Sequence, residues 1–149
     1  HPYFMVGTPT IDGALLHLPV ASRLTTDERL IPTGRAAVAA TPFDFRTPRQ
    51  IGNLVLDTCF ADLLPDADGA TRIVLAQPGG VPRLTLTLDA AYRFVQVYSG
   101  DNLPDPAARR RGLAIEPMTC PANAFNSGEG LLILQPGESH SAVWGARAD

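Results

Sequence analysis

The sequence has no lysine. All 12 of its basic residues are arginine, and 15 acidic residues bring the formal net charge to -3. We read the missing lysine as coding bias more than function. Without a basic excess the chain lacks the electrostatic footprint of a nucleic-acid binder. Its one basic run, Arg109-Arg110-Arg111, sits beside a Pro-rich turn and reads as a solvated loop. No apolar stretch approaches the roughly 20 residues of a membrane span, so no membrane association is expected. A signal-peptide pattern is also missing. The chain opens on His1-Pro2-Tyr3-Phe4 rather than Met, which leads us to expect a fragment or a trimmed chain. Cysteine is scarce: Cys59 and Cys120 show neither Cys-x-x-Cys nor paired-His spacing, so no zinc site is expected. The spacing neither requires nor forbids a disulfide. Two free, mostly buried thiols in a reducing, cytoplasmic compartment are the favoured reading.

Long helices are unlikely companions of this punctuation, with 14 Pro and 13 Gly scattered along the chain. What remains is globular in composition, 45% hydrophobic and 18% charged, and long enough for one domain with a real core. Its patterning has period two. Leu84, Leu86 and Leu88 alternate with Arg83, Thr85, Thr87 and Asp89, which predicts a strand over Arg83–Asp89. Phe94, Gln96 and Tyr98 alternate with Val95 and Val97. Arg72–Ala76 and Leu131–Gln135 are short branched apolar runs, read as interior strands. A final strand is expected over Ser139–Trp144. Gln77-Pro78-Gly79-Gly80 and Gln135-Pro136-Gly137-Glu138 read as turns between strands. Ile51–Leu64 fits neither period and is expected to be irregular, with at most one helical turn. The sum predicts an all-β sandwich or barrel in one domain, or half of one. Open sheet edges would then invite pairing with further chain.

Few residues stand out chemically. Glu116 follows apolar residues at an expected strand end, and Pro117 then stops the ladder. It is either a partly desolvated functional carboxylate or a salt-bridged edge residue. Desolvation would raise its pKa toward the value a general base needs. Asp57 interrupts the apolar run Leu54–Phe60, as a capping residue or as an acceptor for a ligand hydroxyl. Asp44 and Arg46 form a local ion pair or one side of a site. The polar loop 120–130 is bounded by Gly and is either functional or a plain connection. It carries Asn123 as a ligand-binding candidate and Glu129 as an exposed acid. Ser127 lacks the Gly-x-Ser-x-Gly frame of a nucleophile elbow. His17 and His140 read as strand residues with polar tips, and His1 as a ragged end.

Taken together, several segments resemble the aldose 1-epimerase family in family order. His1-Pro2-Tyr3-Phe4 is similar to its His-x-Tyr-Phe motif. Leu30-Ile31-Pro32-Thr33-Gly34 and Thr41-Pro42-Phe43-Asp44-Phe45-Arg46 resemble its next shared stretch. Asp57-Thr58-Cys59-Phe60 lies where the family has an Asp followed by an aromatic. The stretch from Ile115 to Phe125 resembles its Glu-bearing segment, and Leu134–Glu138 its late turn. Pro2 departs from the Ser common in the family and points to a divergent bacterial branch.

The resemblance implies an antiparallel β-sandwich of the galactose mutarotase-like type, of which residues 1–149 are the C-terminal part of a single domain. It implies Glu116 as general base, His1 as general acid and Asp57 as the holder of a sugar hydroxyl. Arg46 and Asn123 are the further substrate-binding candidates. The N-terminal half of the family, with another His and an Arg, is absent from this chain. Its partner is therefore expected to be that half or a second chain, and the isolated chain is expected to be inactive or nearly so. The implied reaction interconverts the α and β anomers of a free hexose. A base takes the anomeric proton while an acid protonates the ring oxygen, so no metal or redox cofactor is required. Two other classes compete: a carbohydrate-binding sandwich without catalysis, and an interaction fragment whose open edges pair with another chain.

Overall fold

The computed structural model describes residues 1–149. Its strands, in chain order, are β1 (Tyr3–Phe4), β2 (Leu15–His17), β3 (Val20–Thr26), β4 (Pro32–Ala37), β5 (Arg49–Gln50) and β6 (Asp57–Leu63). They continue with β7 (Thr71–Ala76), β8 (Arg83–Leu88), β9 (Phe94–Tyr98), β10 (Leu113–Met118) and β11 (Trp144–Ala148). One short helix, α1 (Ala124–Ser127), follows β10. The strands form two antiparallel sheets, ordered β1-β10-β9-β6-β3-β4 and β11-β8-β7-β2-β5.

A single core joins the two sheets. Phe60, Val95, Val97, Leu113 and Ile115 from the first sheet meet Leu16, Ile73, Leu75, Leu86 and Leu88 from the second. Successive strand residues point to opposite faces. The alternating leucines of β8 therefore lie on the core side, as their pattern predicts. The turn at Gln77-Pro78-Gly79-Gly80 joins β7 to β8, with the Gly80 amide donating to the Gln77 carbonyl at 2.8 Å. Gly79 and Gly80 both have φ near +90°, which a side chain would resist.

Three expectations need correction. Asp57–Leu63 is not irregular but a central strand. Thr58, Cys59, Phe60 and Ala61 are all buried, so the middle of β6 is covered on both faces and shows no alternation. Leu131–Gln135 is not an interior strand. Leu132, Ile133 and Leu134 are exposed, and the run has no ladder partner within the chain. The last strand begins at Trp144, where the expected one ended, and pairs with β8 through Ala148. Its entry is fixed by Asp89, whose carboxylate accepts from the Val143 amide at 2.6 Å while its own amide donates to the Val143 carbonyl.

The first sheet also buries residues on the face turned away from the core. Leu24, Cys59, Ala61 and Phe94 form a second small cluster there, with Met118 packed against it. No helix is long and apolar enough to cross a membrane.

Candidate functional site

The outward face of the first sheet is a ladder of registered rows. Tyr3, Ala114, Tyr98 and Asp57 pair in sequence across β1, β10, β9 and β6. The next row, one pleat along, is Glu116, Gln96 and Cys59; the third is Met118, Phe94 and Ala61. The core-facing residues between them, such as Ile115, Val97 and Thr58, fix which face each row occupies. Strand spacing of about 4.8 Å then sets the separation of the polar groups. Two carboxylates distant in sequence, Asp57 and Glu116, thus come to line one hollow.

That hollow has two adjoining lobes. One, of about 430 Å³, is lined by His1, Tyr3, Asp57, Gln96, Tyr98, Asn102 and Glu116. The other, about 370 Å³, shares His1, Asp57, Gln96 and Glu116 and is closed by Met118, Cys120 and Ala122. Both fall in the size range of small-ligand sites.

Within it, His1 Nδ1 lies 2.8 Å from Glu116 Oε2. The partners differ in freedom: the Glu116 side chain is 14% exposed and that of His1 92%. Burial raises the Glu116 carboxyl above its ordinary pKa; the amino terminus of His1 opposes the rise, and the negative charge of Asp57 adds to it. A carboxylate so tuned is better suited to accept a proton near neutral pH. Gln96 Nε2 donates to Asp57 Oδ1 at 2.7 Å, leaving Oδ2 of Asp57 without an intramolecular donor. The Tyr98 hydroxyl donates to Asn102 Oδ1. Tyr3 stands edge-on to Tyr98, with ring centroids 6.4 Å apart. Two aromatic walls over a polar floor suit a molecule with apolar C–H faces and a rim of hydroxyls.

The other candidates lie elsewhere. Asn123 sits at the start of α1, accepts from Asn126 Nδ2 at 2.6 Å, and lines a neighbouring hollow with Arg35 and Glu129. Arg46 lines neither lobe; its guanidinium makes two bonds to Asp44, at 2.9 and 2.8 Å, the local ion pair that was one of its two readings. Glu129 is not an idle acid but is bonded to Arg35. Gln96, Tyr98, Asn102 and Tyr3 were not singled out from sequence. The alternation of β9 puts Gln96 and Tyr98 on one face, yet only the register with β6 and β10 brings them beside the two acids. No group of three or more His, Cys, Asp or Glu side chains is arranged to hold a metal ion.

The aldose 1-epimerase family model matches residues 1–146, and the chain belongs to that family. Over 140 residues it is 34% identical to the uncharacterized protein YihR of Escherichia coli K12, covering 94% of this chain and 42% of that protein. Among solved structures it resembles the GalM/aldose epimerase homologue from C. elegans, with a TM-score of 0.76 at 20% identity over 95% of this chain and 48% of the other. It also resembles galactose 1-epimerase from Lactobacillus acidophilus NCFM, with a TM-score of 0.59 at 23% identity over 77% and 38% of the two chains. The chain therefore spans less than half the length of these relatives. The structural likenesses establish the β-sandwich.

Proposed function

We propose that the protein of which this chain is part is an aldose 1-epimerase acting on a free hexose, with residues 1–149 forming the C-terminal portion of one sandwich domain. The observation that carries this reading is the contact of a desolvated carboxylate, Glu116, with an exposed imidazole, His1, in an open polar hollow. The sugar enters between them. His1 is free to swing aside, whereas Glu116 is fixed on β10.

Glu116 takes the proton from the anomeric hydroxyl, and the His1 imidazolium gives one to the ring oxygen. The bond from the anomeric carbon to the ring oxygen breaks, and the anomeric oxygen becomes the aldehyde carbonyl. Rotation about the adjacent carbon–carbon bond presents the other carbonyl face. As the ring closes, Glu116 returns its proton to the carbonyl oxygen and His1 takes one back from the hydroxyl that attacks the anomeric carbon. Asp57 accepts from a sugar hydroxyl through Oδ2 while Gln96 holds Oδ1, and Asn123 and Arg46 are the outer substrate-binding candidates. The remainder of the same protein, or a second chain, completes the substrate enclosure. The two free cysteines fit a reducing, cytoplasmic setting.

The test is Glu116→Gln in the complete protein, followed by the rate at which pure α-glucose or α-galactose approaches anomeric equilibrium. Loss of the base should slow turnover on the order of 10²-fold or more. Near-normal turnover would show that Glu116 is not the base; no acceleration by the unmodified protein would make this hollow a carbohydrate-binding site without catalysis.

A further inference from the structure

Arg35 lines neither lobe of the hollow around Glu116, yet it joins three elements beside it. From β4 its Nη1 donates to Asp62 Oδ1 on β6 at 2.7 Å. Its Nη2 donates to Glu129 Oε1 at 2.5 Å, across 94 positions of sequence. Its guanidinium carbon lies 6.0 Å from the ring centroid of Phe94 on β9. Asp62 is itself held by the Ser22 hydroxyl. Arg35 is thus anchored to the sheet on one side and grips the segment after β10 on the other.

That segment, residues 119–130, is a closed lobe. At its neck Gly130 has φ +65°, and a Cβ there would stand 3.1 Å from the Thr119 carbonyl oxygen and 3.2 Å from Cys120 Cα. Glycine is what lets the two ends meet. The near side of the lobe, Cys120 to Ala122, walls the hollow that holds Glu116, His1 and Asp57. Phe125, its largest apolar side chain, is exposed, so burial of that ring does not fasten it. The helix within it, α1, is a single turn and contributes little rigidity of its own. The other side-chain bonds of the segment, Asn126 to Asn123 and the Glu129 amide to Ser127, are internal. The bond from Arg35 is the side-chain link that ties the lobe to the sheet.

We propose that Arg35 is a positioning residue. Through Glu129 it holds the lobe against the sheet and so sets the width of the hollow into which the sugar fits beside Glu116. The inference rests on the sugar-binding reading of that hollow. It assigns the pair a role in substrate binding, not in proton transfer. A half-exposed ion pair contributes little to global stability, so its loss should be felt by the lobe and not by the fold.

The experiment uses the complete protein and three variants: Arg35→Met, Glu129→Gln, and the charge-keeping Arg35→Lys. Anomerisation kinetics are measured alongside the melting temperature and the rate at which iodoacetamide alkylates Cys120, resolved by peptide mapping. Arg35→Met and Glu129→Gln should each raise KM roughly two- to five-fold with kcat and melting temperature nearly unchanged. Cys120 should be alkylated faster in both, and Arg35→Lys, which keeps the charge between the two acids, should lose much less. Unchanged KM in Arg35→Met overturns the inference, whether or not Cys120 labels faster. A lower kcat at constant KM also overturns it. If the unmodified protein does not anomerise any hexose tried, the epimerase reading fails, and Cys120 labelling alone decides whether the clasp exists.

Discussion

Gln96 donates its side-chain amide to Asp57 across the β6–β9 ladder at 2.7 Å, so one oxygen of the acid is committed and the other has no donor within the chain. Gln96 also pairs in register with Glu116 on its other side. An amide between two acids separates their charges while orienting one of them. Gln96→Leu should therefore release Asp57 and weaken sugar binding roughly three- to ten-fold in KM, the worth of one hydrogen bond. Calorimetric titration with glucose or galactose on a Glu116→Gln background would show it without interference from turnover. Equal affinity with and without Gln96 would exclude this role.

The acidic limb of the pH–rate profile should move with the charges around Glu116. Burial raises its pKa, and the negative charge of Asp57 adds to the rise. Asp57→Asn should therefore shift the limb of kcat/KM to lower pH. The stability linkage has the matching sign. A carboxyl whose folded pKa is raised above its unfolded value favours the folded state below the unfolded pKa, and that contribution is lost as pH rises through the folded value. Denaturant unfolding of Asp57→Asn across the weakly acidic range should show a smaller loss. Shifts of the opposite sign would show that Glu116 does not control the limb.

A second polar centre lies just behind Asp57. Arg110, only 16% exposed in its side chain, donates to Asp12, Asp101 and the carbonyls of Gly52 and Leu54. Asp101 accepts from the Ser99 hydroxyl, and Ser99 accepts from the Leu56 amide at 2.8 Å. Leu56 is the residue before Asp57. Arg110→Met would strand two carboxylates and two carbonyls, and should cost about 3–5 kcal/mol of stability. A chemical-denaturation midpoint within experimental error of the unmodified protein would contradict this.

Cys59 should be chemically inert in the folded protein. Burial pushes its thiol up to about 12, with Glu129 adding to the rise and Arg35 opposing it. The thiolate is the reactive form, so alkylation near pH 8 should be slow until the protein unfolds. Mass-spectrometric mapping after brief iodoacetamide treatment, with and without urea, checks this. Rapid labelling of Cys59 in native buffer would refute it.

Residues 1–149 by themselves should anomerise sugar poorly. The chain covers 42% of its YihR relative, and Leu132, Ile133 and Leu134 stand exposed as a continuous apolar strip. Contiguous patches of this kind ordinarily meet a partner. The isolated chain should bind a hydrophobic dye that the complete protein does not, and polarimetry should find little acceleration. Full activity in the isolated chain would show that the site needs nothing more.

What could be read from sequence followed exposure. β8 and β9 lie with one face on the core and one outside, so their alternation is explicit in the residue order. β6 is buried on both faces, and its period two vanishes although it is the strand that carries Asp57. Leu131–Gln135 has the composition of a buried strand, but composition does not reveal whether a ladder partner exists. Glu116 stood out as an acid beside Pro117 after an apolar run, yet Pro117 does not stop the ladder: β10 pairs with β9 as far as Met118. Gln96 and Tyr98 did not, because their neighbours belong to other strands and only register joins them. Arg46 matched a family stretch, yet its guanidinium is bonded to the neighbouring Asp44 and lines neither lobe of the hollow. His1 had no local signal at all; its place beside Glu116 follows from the pairing of Tyr3 with Ala114.

The registered rows of the first sheet behave as graduations on a ruler. Asp57, Gln96 and Glu116 occupy fixed marks, spaced by the strand separation and the pleat, and none depends on a loop for its height. Tyr3, Tyr98, Cys59 and Met118 occupy the marks around them. Exchange at those outer marks reshapes the hollow without disturbing the interval between Asp57 and Glu116. On the proposed reading, preference for a sugar can thus drift over generations while the reaction itself stays in tune.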